Sequence, residues 1–201
     1  PEVIRAFEVG AIYVCGLDES VSEISRLFRQ TATEEGCEYR PVHRGQQIYG
    51  FPGITLDVLN PDPRYLKMKG LDTNYCSVVI RLKYKNFSCL LTGDITVEVE
   101  RELVRTGLIQ KTTVLKVAHH GAANSTCDEF LEALQPEVAV IQVGKNTYGH
   151  PSEDTLTRLR SSGTLVFRTD LNGTVRITSD GERYTVRPLG ENKEYARRGR
   201  E

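Results

Sequence analysis

Asp94 closes the segment LLTGD, and His119 and His120 stand side by side after the apolar run VLKVA, in a chain with only 4 histidines among 201 residues. A third histidine, His150, ends the stretch Asn146 to His150 in VGKNTYGHP, and Asp170 and Asn172 follow TLVFRT. Carboxylate oxygen and neutral imidazole nitrogen are ligands of zinc, manganese and iron, and a catalytic site keeps one position open for water. Metal-assisted hydrolysis is the chemistry such a set could do. Each residue also has a plainer reading. Asp94 precedes ITVEVERELV and could cap that helix. The histidine pair could be a partly buried hydrogen-bonding pair, and His150 a turn residue ahead of the helix that starts near Ser152. Gly93 and Gly121 allow sharp turns and close approach beside the candidates. The remaining histidine, His43 in YRPVHRGQQ, has no companion motif and reads as surface.

The elements that must position these residues alternate along the chain. AIYVCG reads as a buried strand; SVSEISRLFRQTATEEG has the helical spacing of Val21, Ile24, Leu27 and Phe28, with Ser20 as N-cap and Gly36 as stop. ITLDVLNPDP is a strand stopped by prolines, and CSVVIRLKYKNFSCLLTGD is two strands joined by a tight turn at Lys85 and Asn86. Beyond Asp94 come helix TVEVERELVRTG, strand VLKVAHH, helix DEFLEALQP, strand VAVIQVG, helix SEDTLTRLRSSG and strand TLVFRTD. Short apolar strands and amphipathic helices in this order predict an α/β arrangement with helices covering the sheet. In open α/β sheets ligand sites form at the carboxyl ends of the strands, which is where the candidates fall. GTVRITSDGERYTVRPL is an alternating hairpin turning at Asp180 and Gly181. Residues 1–189 form one domain in this reading, and the charged tail 190–201 is expected to be mobile or weakly helical.

Composition narrows the classes. Hydrophobic content of 39%, charged content of 26% and a net charge of −1 describe an ordinary globular domain with no overall pull toward nucleic acid or lipid. Any nucleic-acid contact must therefore be a local patch, for which Lys111, Lys145, Arg158, Arg160 and Arg168 are candidates, the alternative being solvated helix surface. No run of apolar residues is long enough for a membrane span, and PEVIRAFEVG lacks the pattern of a signal peptide. The five cysteines form no C-x-x-C pair, and Cys15, Cys76 and Cys89 sit in strand-like runs as buried thiols.

Taken together, LLTGDI, LKVAHHG and YGHPS, in this order and spacing, resemble the distal half of the metallo-β-lactamase-fold domain of ComEC-type DNA-uptake proteins and their single-domain hydrolase relatives. NYCSVVIRLKYKNFSCLLTGDI and FRTDLNGTVRITSDGERYTV match further strands of that pattern. The resemblance implies an αββα sandwich without its N-terminal strands and its H-x-H-x-D-H loop, since that cluster occurs nowhere in residues 1–201. It makes Asp94 and His120 metal ligands, with His119 in a supporting or leaving-group role and His150 lining the pocket. Ala122 stands where the family usually has Ser, a change that Asn124 or Ser125 could offset. PEVIRAF resembles the short helix that follows the cluster in relatives, so the chain is expected to begin just after it.

For the intact domain the resemblance implies a metal-dependent phosphodiesterase or nuclease in competence, with zinc or manganese, two ions in all, and single-stranded DNA as substrate. The chain alone is expected to be inactive, because catalytic zinc uses three protein ligands or more. Two rivals stay open: a non-catalytic binding module, and a hydrolase of small phosphodiesters or lactones. An exposed sheet edge raises the further expectation of a homodimer. The compartment follows the parent protein, extracellular or periplasmic for a DNA-uptake channel and otherwise cytoplasmic or secreted.

Overall fold

The computed structural model describes residues 1–17, 22–190 and 195–198. The chain opens with α1 (Glu2–Ala6), β1 (Ala11–Val14), α2 (Glu23–Glu34) and β2 (Glu38–Pro41). β1 and β2 pair in parallel, with α2 as the crossover that parallel strands require. Ile4 of α1 and Thr31 and Ala32 of α2 are buried. The Ser22 hydroxyl caps α2, accepting from the Ser25 N–H at 3.5 Å, whereas Ser20 lies outside the described residues.

A seven-stranded sheet follows, with neighbours in chain order: β3 (Gln47–Ile48), β4 (Thr55–Asn60), β5 (Val79–Tyr84), β6 (Phe87–Leu91), β7 (Val114–Lys116), β8 (Val138–Ile141) and β9 (Leu165–Arg168). β3 to β6 are antiparallel, and Tyr84 pairs with Phe87 across the expected turn at Lys85 and Asn86. β6 to β9 are parallel, joined by α3 (Val97–Arg105), α4 (Asp128–Leu134) and α5 (Glu153–Ser161).

Consecutive strand residues face opposite sides, as a period of two demands. Val79, Leu90, Leu115 and Ala139 meet Val99, Leu103, Phe130, Leu134 and Leu159 of the three helices in the main core. Their neighbours Val114, Val138 and Phe167 meet Tyr184 and Val186 on the other face. Those last two belong to an antiparallel sheet of β10 (Val175–Ser179), β11 (Arg183–Pro188) and β12 (Tyr195–Arg198), entered through α6 (Thr169–Asn172). Val58 and Ile80, on that same second face, pack with Val42 and Tyr13 of the β1–β2 unit. The layers thus run from α3–α5 through the large sheet to a second β layer, with α2 against β2 and α1 against α2. This is an α/β fold consistent with the metallo-β-lactamase-like sandwich expected.

Two expectations change. Within the tail, Tyr195–Arg198 is a strand on β11 rather than weakly helical, and the Tyr195 ring meets Phe167 edge-on at 5.3 Å, giving this segment an apolar anchor. Of the three cysteines expected to be buried only Cys76 is fully so; Cys15 and Cys89 are intermediate, and Cys127 is buried. Among the described residues no helix is long and apolar enough to cross a membrane.

Candidate functional site at the strand ends

Parallel pairing places Leu91 opposite Lys116, and the chain beyond each strand turns toward the other. Asp94 does not cap α3, whose N-cap is Thr96. Its carboxylate instead faces Lys116 Nζ at 3.5 Å through one oxygen and His120 Nε2 at 3.7 Å through the other. The Asp94 N–H donates to Ser77 Oγ at 3.1 Å, and Lys116 Nζ donates to the Gly93 carbonyl at 2.7 Å. Gly93 has φ 56°, and a Cβ there would lie 2.9 Å from the Ser77 Cβ, so glycine is the residue that fits. Burial lowers the Lys116 pKa below the usual lysine range, and the Asp94 charge opposes that shift.

His119 and His120 both take left-handed backbone angles, φ 49° and 56°. For residues with a Cβ this costs on the order of 1–2 kcal/mol each, so the surrounding loop must hold them. The Ser152 N–H donates to the Gly121 carbonyl at 2.9 Å. Ser125 Oγ donates to the Ala118 and Ala122 carbonyls, and Thr155 Oγ1 donates to Ala122. The buried Glu100 carboxylate accepts from the Thr126 and Cys127 N–H groups at 2.6 and 2.9 Å. Ser125 therefore braces the loop, and the group that orients an imidazole is a different one. His120 Nδ1 lies 2.7 Å from the Gln142 carbonyl. A carbonyl only accepts, so Nδ1 carries a proton and the ring is held with Nε2 facing Asp94.

His119 Nδ1 is buried without a hydrogen-bond partner. Its ring lies 5.7 Å from His150 and 6.4 Å from His120, and the His150 ring stacks on Tyr148 at 5.9 Å. Burial first, then the neighbouring charges of His119 and His120, push the His150 pKa below the usual imidazole value. A cavity of about 220 Å³ opens here, lined by His120, Val143, Lys145, Asn146, Tyr148 and His150 among others. A larger groove of about 730 Å³ lies between β2 and β4, away from the cluster of His119, His120 and His150, and its Arg81 and Asp57 are paired at 2.8 Å.

The structure thus brings Asp94, His119, His120 and His150 together and adds Lys116, Ser77 and Gln142. It leaves Asp170 and Asn172 apart, engaged with Arg168. The basic rim shrinks as well. Arg158 is spent on the Thr126 and Ser125 carbonyls, Arg160 on Glu153 and Arg168 on Asp170, and Lys111 precedes β7 at the opposite end of the strands, which leaves Lys145 at the cavity. The one hint of Lys116 in the sequence was a lysine inside an otherwise apolar strand, three positions before His119.

The donor set tests the implied metal. Asp94 and His120 could share one ion, but among the described residues no group of three or more His, Cys, Asp and Glu side chains could hold one. An ammonium also stands against the carboxylate. The pair alone does not fit a catalytic metal, which uses at least three protein ligands.

No family model matches the chain. It is 37% identical over 148 residues to ComE operon protein 3 of Bacillus subtilis, covering 73% of this chain and 18% of that protein. It is 35% identical over 137 residues to competence protein ComA of Neisseria gonorrhoeae, covering 67% and 19%. Recombination protein 2 of Haemophilus influenzae is 29% identical over 152 residues, covering 75% and 18%. The chain therefore spans less than a fifth of the length of these relatives. A solved structure from Parabacteroides distasonis, named as a metal-dependent hydrolase, aligns with TM-score 0.46 at 10% identity over 79% of this chain and 74% of that one. Over about three quarters of its length, this chain is a relative of one segment of the ComEC-type competence proteins.

Proposed function

We propose that this domain handles DNA in uptake, and that in the intact protein its strand-end cluster forms one wall of a phosphodiesterase site. The observation that carries this reading is His120 Nε2 held 3.7 Å from the Asp94 carboxylate, with Nδ1 fixed on a backbone carbonyl. A second carbonyl-fixed nitrogen is the usual support of a ligating imidazole. The zinc or manganese ions implied by the resemblance need ligands beyond Asp94 and His120. The roles assigned to this chain are those of its own side chains. Asp94 and His120 present the ligand pair, while His119 and His150 face a phosphate or leaving oxygen as hydrogen-bond donors. His150, with its lowered pKa, acts there as a neutral donor.

The test uses the intact protein that contains this chain. Asp94→Ala should abolish metal-dependent cleavage of single-stranded DNA while circular dichroism shows an unchanged fold; cleavage that survives the substitution refutes the assignment. The 201-residue chain alone should show little turnover with manganese. The second reading, a binding module without hydrolysis, is favoured by one observation, the Lys116 ammonium 3.5 Å from Asp94, where it meets part of the charge that a cation would. Calorimetric titration of the intact protein with Mn²⁺ separates the two: no binding in the wild type supports the module.

A further inference from the structure

We propose that Tyr148 and Lys145 form a subsite for single-stranded nucleic acid, where a nucleobase stacks on the open face of Tyr148 and the adjoining phosphate meets Lys145. The proposal deepens the DNA-handling part of the reading above and rests on it. Tyr148 is 82% exposed, more than any other large hydrophobic side chain described. Its ring lies nearly parallel to that of His150, with 20° between the planes and 5.9 Å between the centroids, so His150 flanks it while most of the ring is open to solvent. An exposed aromatic normally loses side-chain freedom on binding, which reduces affinity. Here the ring is already supported and its loop is already held.

Asn146 is the staple of that loop. Its amide nitrogen donates to the Gly144 and His150 carbonyls at 2.9 and 2.8 Å, and its Oδ1 accepts from the Tyr148 and His150 N–H groups at 3.1 Å each. Downstream, Pro151 is packed against Gly121, where an added Cβ would come within 2.7 Å of it. Tyr148 is thereby tied through His150 to the loop that carries His119 and His120. The cavity beside it joins His120, Lys145 and Tyr148 in one lining.

Every base has a π-face, so a stacking platform beside a cation recognises single strands with little sequence preference. A base paired inside a duplex offers no free face, which restricts the subsite to unpaired nucleotides. Arginines that could have served the same purpose are committed to protein partners, as described above, whereas Lys145 has no ion pair among the described residues.

The experiment measures binding of the full chain to a short oligothymidylate and to an abasic oligomer of the same length, by fluorescence anisotropy. The wild type should prefer the oligothymidylate. Tyr148→Ala should weaken that binding on the order of tenfold and leave abasic binding unchanged, with Tyr148→Phe close to wild type. Lys145→Ala should weaken both and reduce the slope of log K against log salt by about 0.7. The chain contains no tryptophan, so Tyr148→Trp adds a single reporter whose emission should be quenched by the oligothymidylate and not by the abasic strand. Equal binding of both oligomers, an unaffected Tyr148→Ala variant, or no binding to either overturns the proposal. None of these readouts requires cleavage. Loss of the Asp94-dependent hydrolysis claim would leave the platform standing, and failure of the platform would leave that claim to its own test.

Discussion

At the scale of single residues, the site is built by conformations that most side chains avoid. Gly121 has φ 79°, and any Cβ there meets Pro151. Gly121→Ala should therefore cost about 1–3 kcal/mol of stability, more than a methyl added at the surface would, as read from urea unfolding. A change within about 0.5 kcal/mol would mean that the loop relaxes freely. The candidates Asp94, His119, His120 and His150 were legible in the sequence because polar residues at the ends of apolar runs stand out. Lys116 was not, since a lone lysine between Leu115 and Val117 reads as the solvent-facing half of a strand. Its partner Asp94 comes from a different strand end, and one-dimensional periodicity says nothing about which ends adjoin. The left-handed turn at the two histidines was equally hidden, because it is imposed from outside by Gly93, Ser125 and Ser152 rather than by local preference.

At the scale of elements, α3 does more than cover the sheet. Glu100 projects from it into the core and accepts two backbone N–H groups from the segment that leads into α4. Burial pushes the Glu100 pKa up, and those two hydrogen bonds work against the shift. Glu100→Gln would set an amide NH₂ against one of the N–H donors, so it should destabilise by about 2 kcal/mol. Glu100→Asp, which keeps two acceptors but shortens the reach, should be the milder change on a thermal melt only if the loop can follow. Hairpins were the most legible elements: Lys85–Asn86 is the two-residue turn expected, and the turn expected at Asp180 and Gly181 falls one residue later, on Gly181 and Glu182, with the Asp180 N–H donating to the Arg183 carbonyl. β12 was not legible, because Tyr195 sits in a charged stretch and gains its strand from the open edge of β11 and the Phe167 ring.

At the scale of the whole molecule, an ionic cluster joins the segment after β4 to α3. Asp62 accepts from Arg44 at 2.8 Å and from the Arg64 backbone and guanidinium, while Glu102 of α3 accepts from both arginines and from the Tyr65 hydroxyl. Hydrogen bonding from Arg64 first, and the charges of both arginines, hold the Asp62 pKa down at about 2. A lowered carboxylate pKa stabilises the fold above the ordinary value of 3.8, and that contribution is lost as pH falls through about 2. Asp62→Asn should reduce stability at neutral pH by about 1–2 kcal/mol, after allowance for solvent screening, and flatten the acid limb of a stability profile. An unchanged acid limb would place the acid sensitivity elsewhere.

The pairing of Leu91 with Lys116 has one more consequence. A slip of one residue between β6 and β7 would shift the strands by about 3.3 Å and turn Lys116 to the opposite face of the sheet. Asp94 and His120 would then be carried past each other, although every ladder hydrogen bond could re-form. Their proximity thus belongs to a single alignment of two strands, and it is the mismatch of buried side chains in every other alignment, more than any attraction between the polar groups, that keeps the cluster assembled.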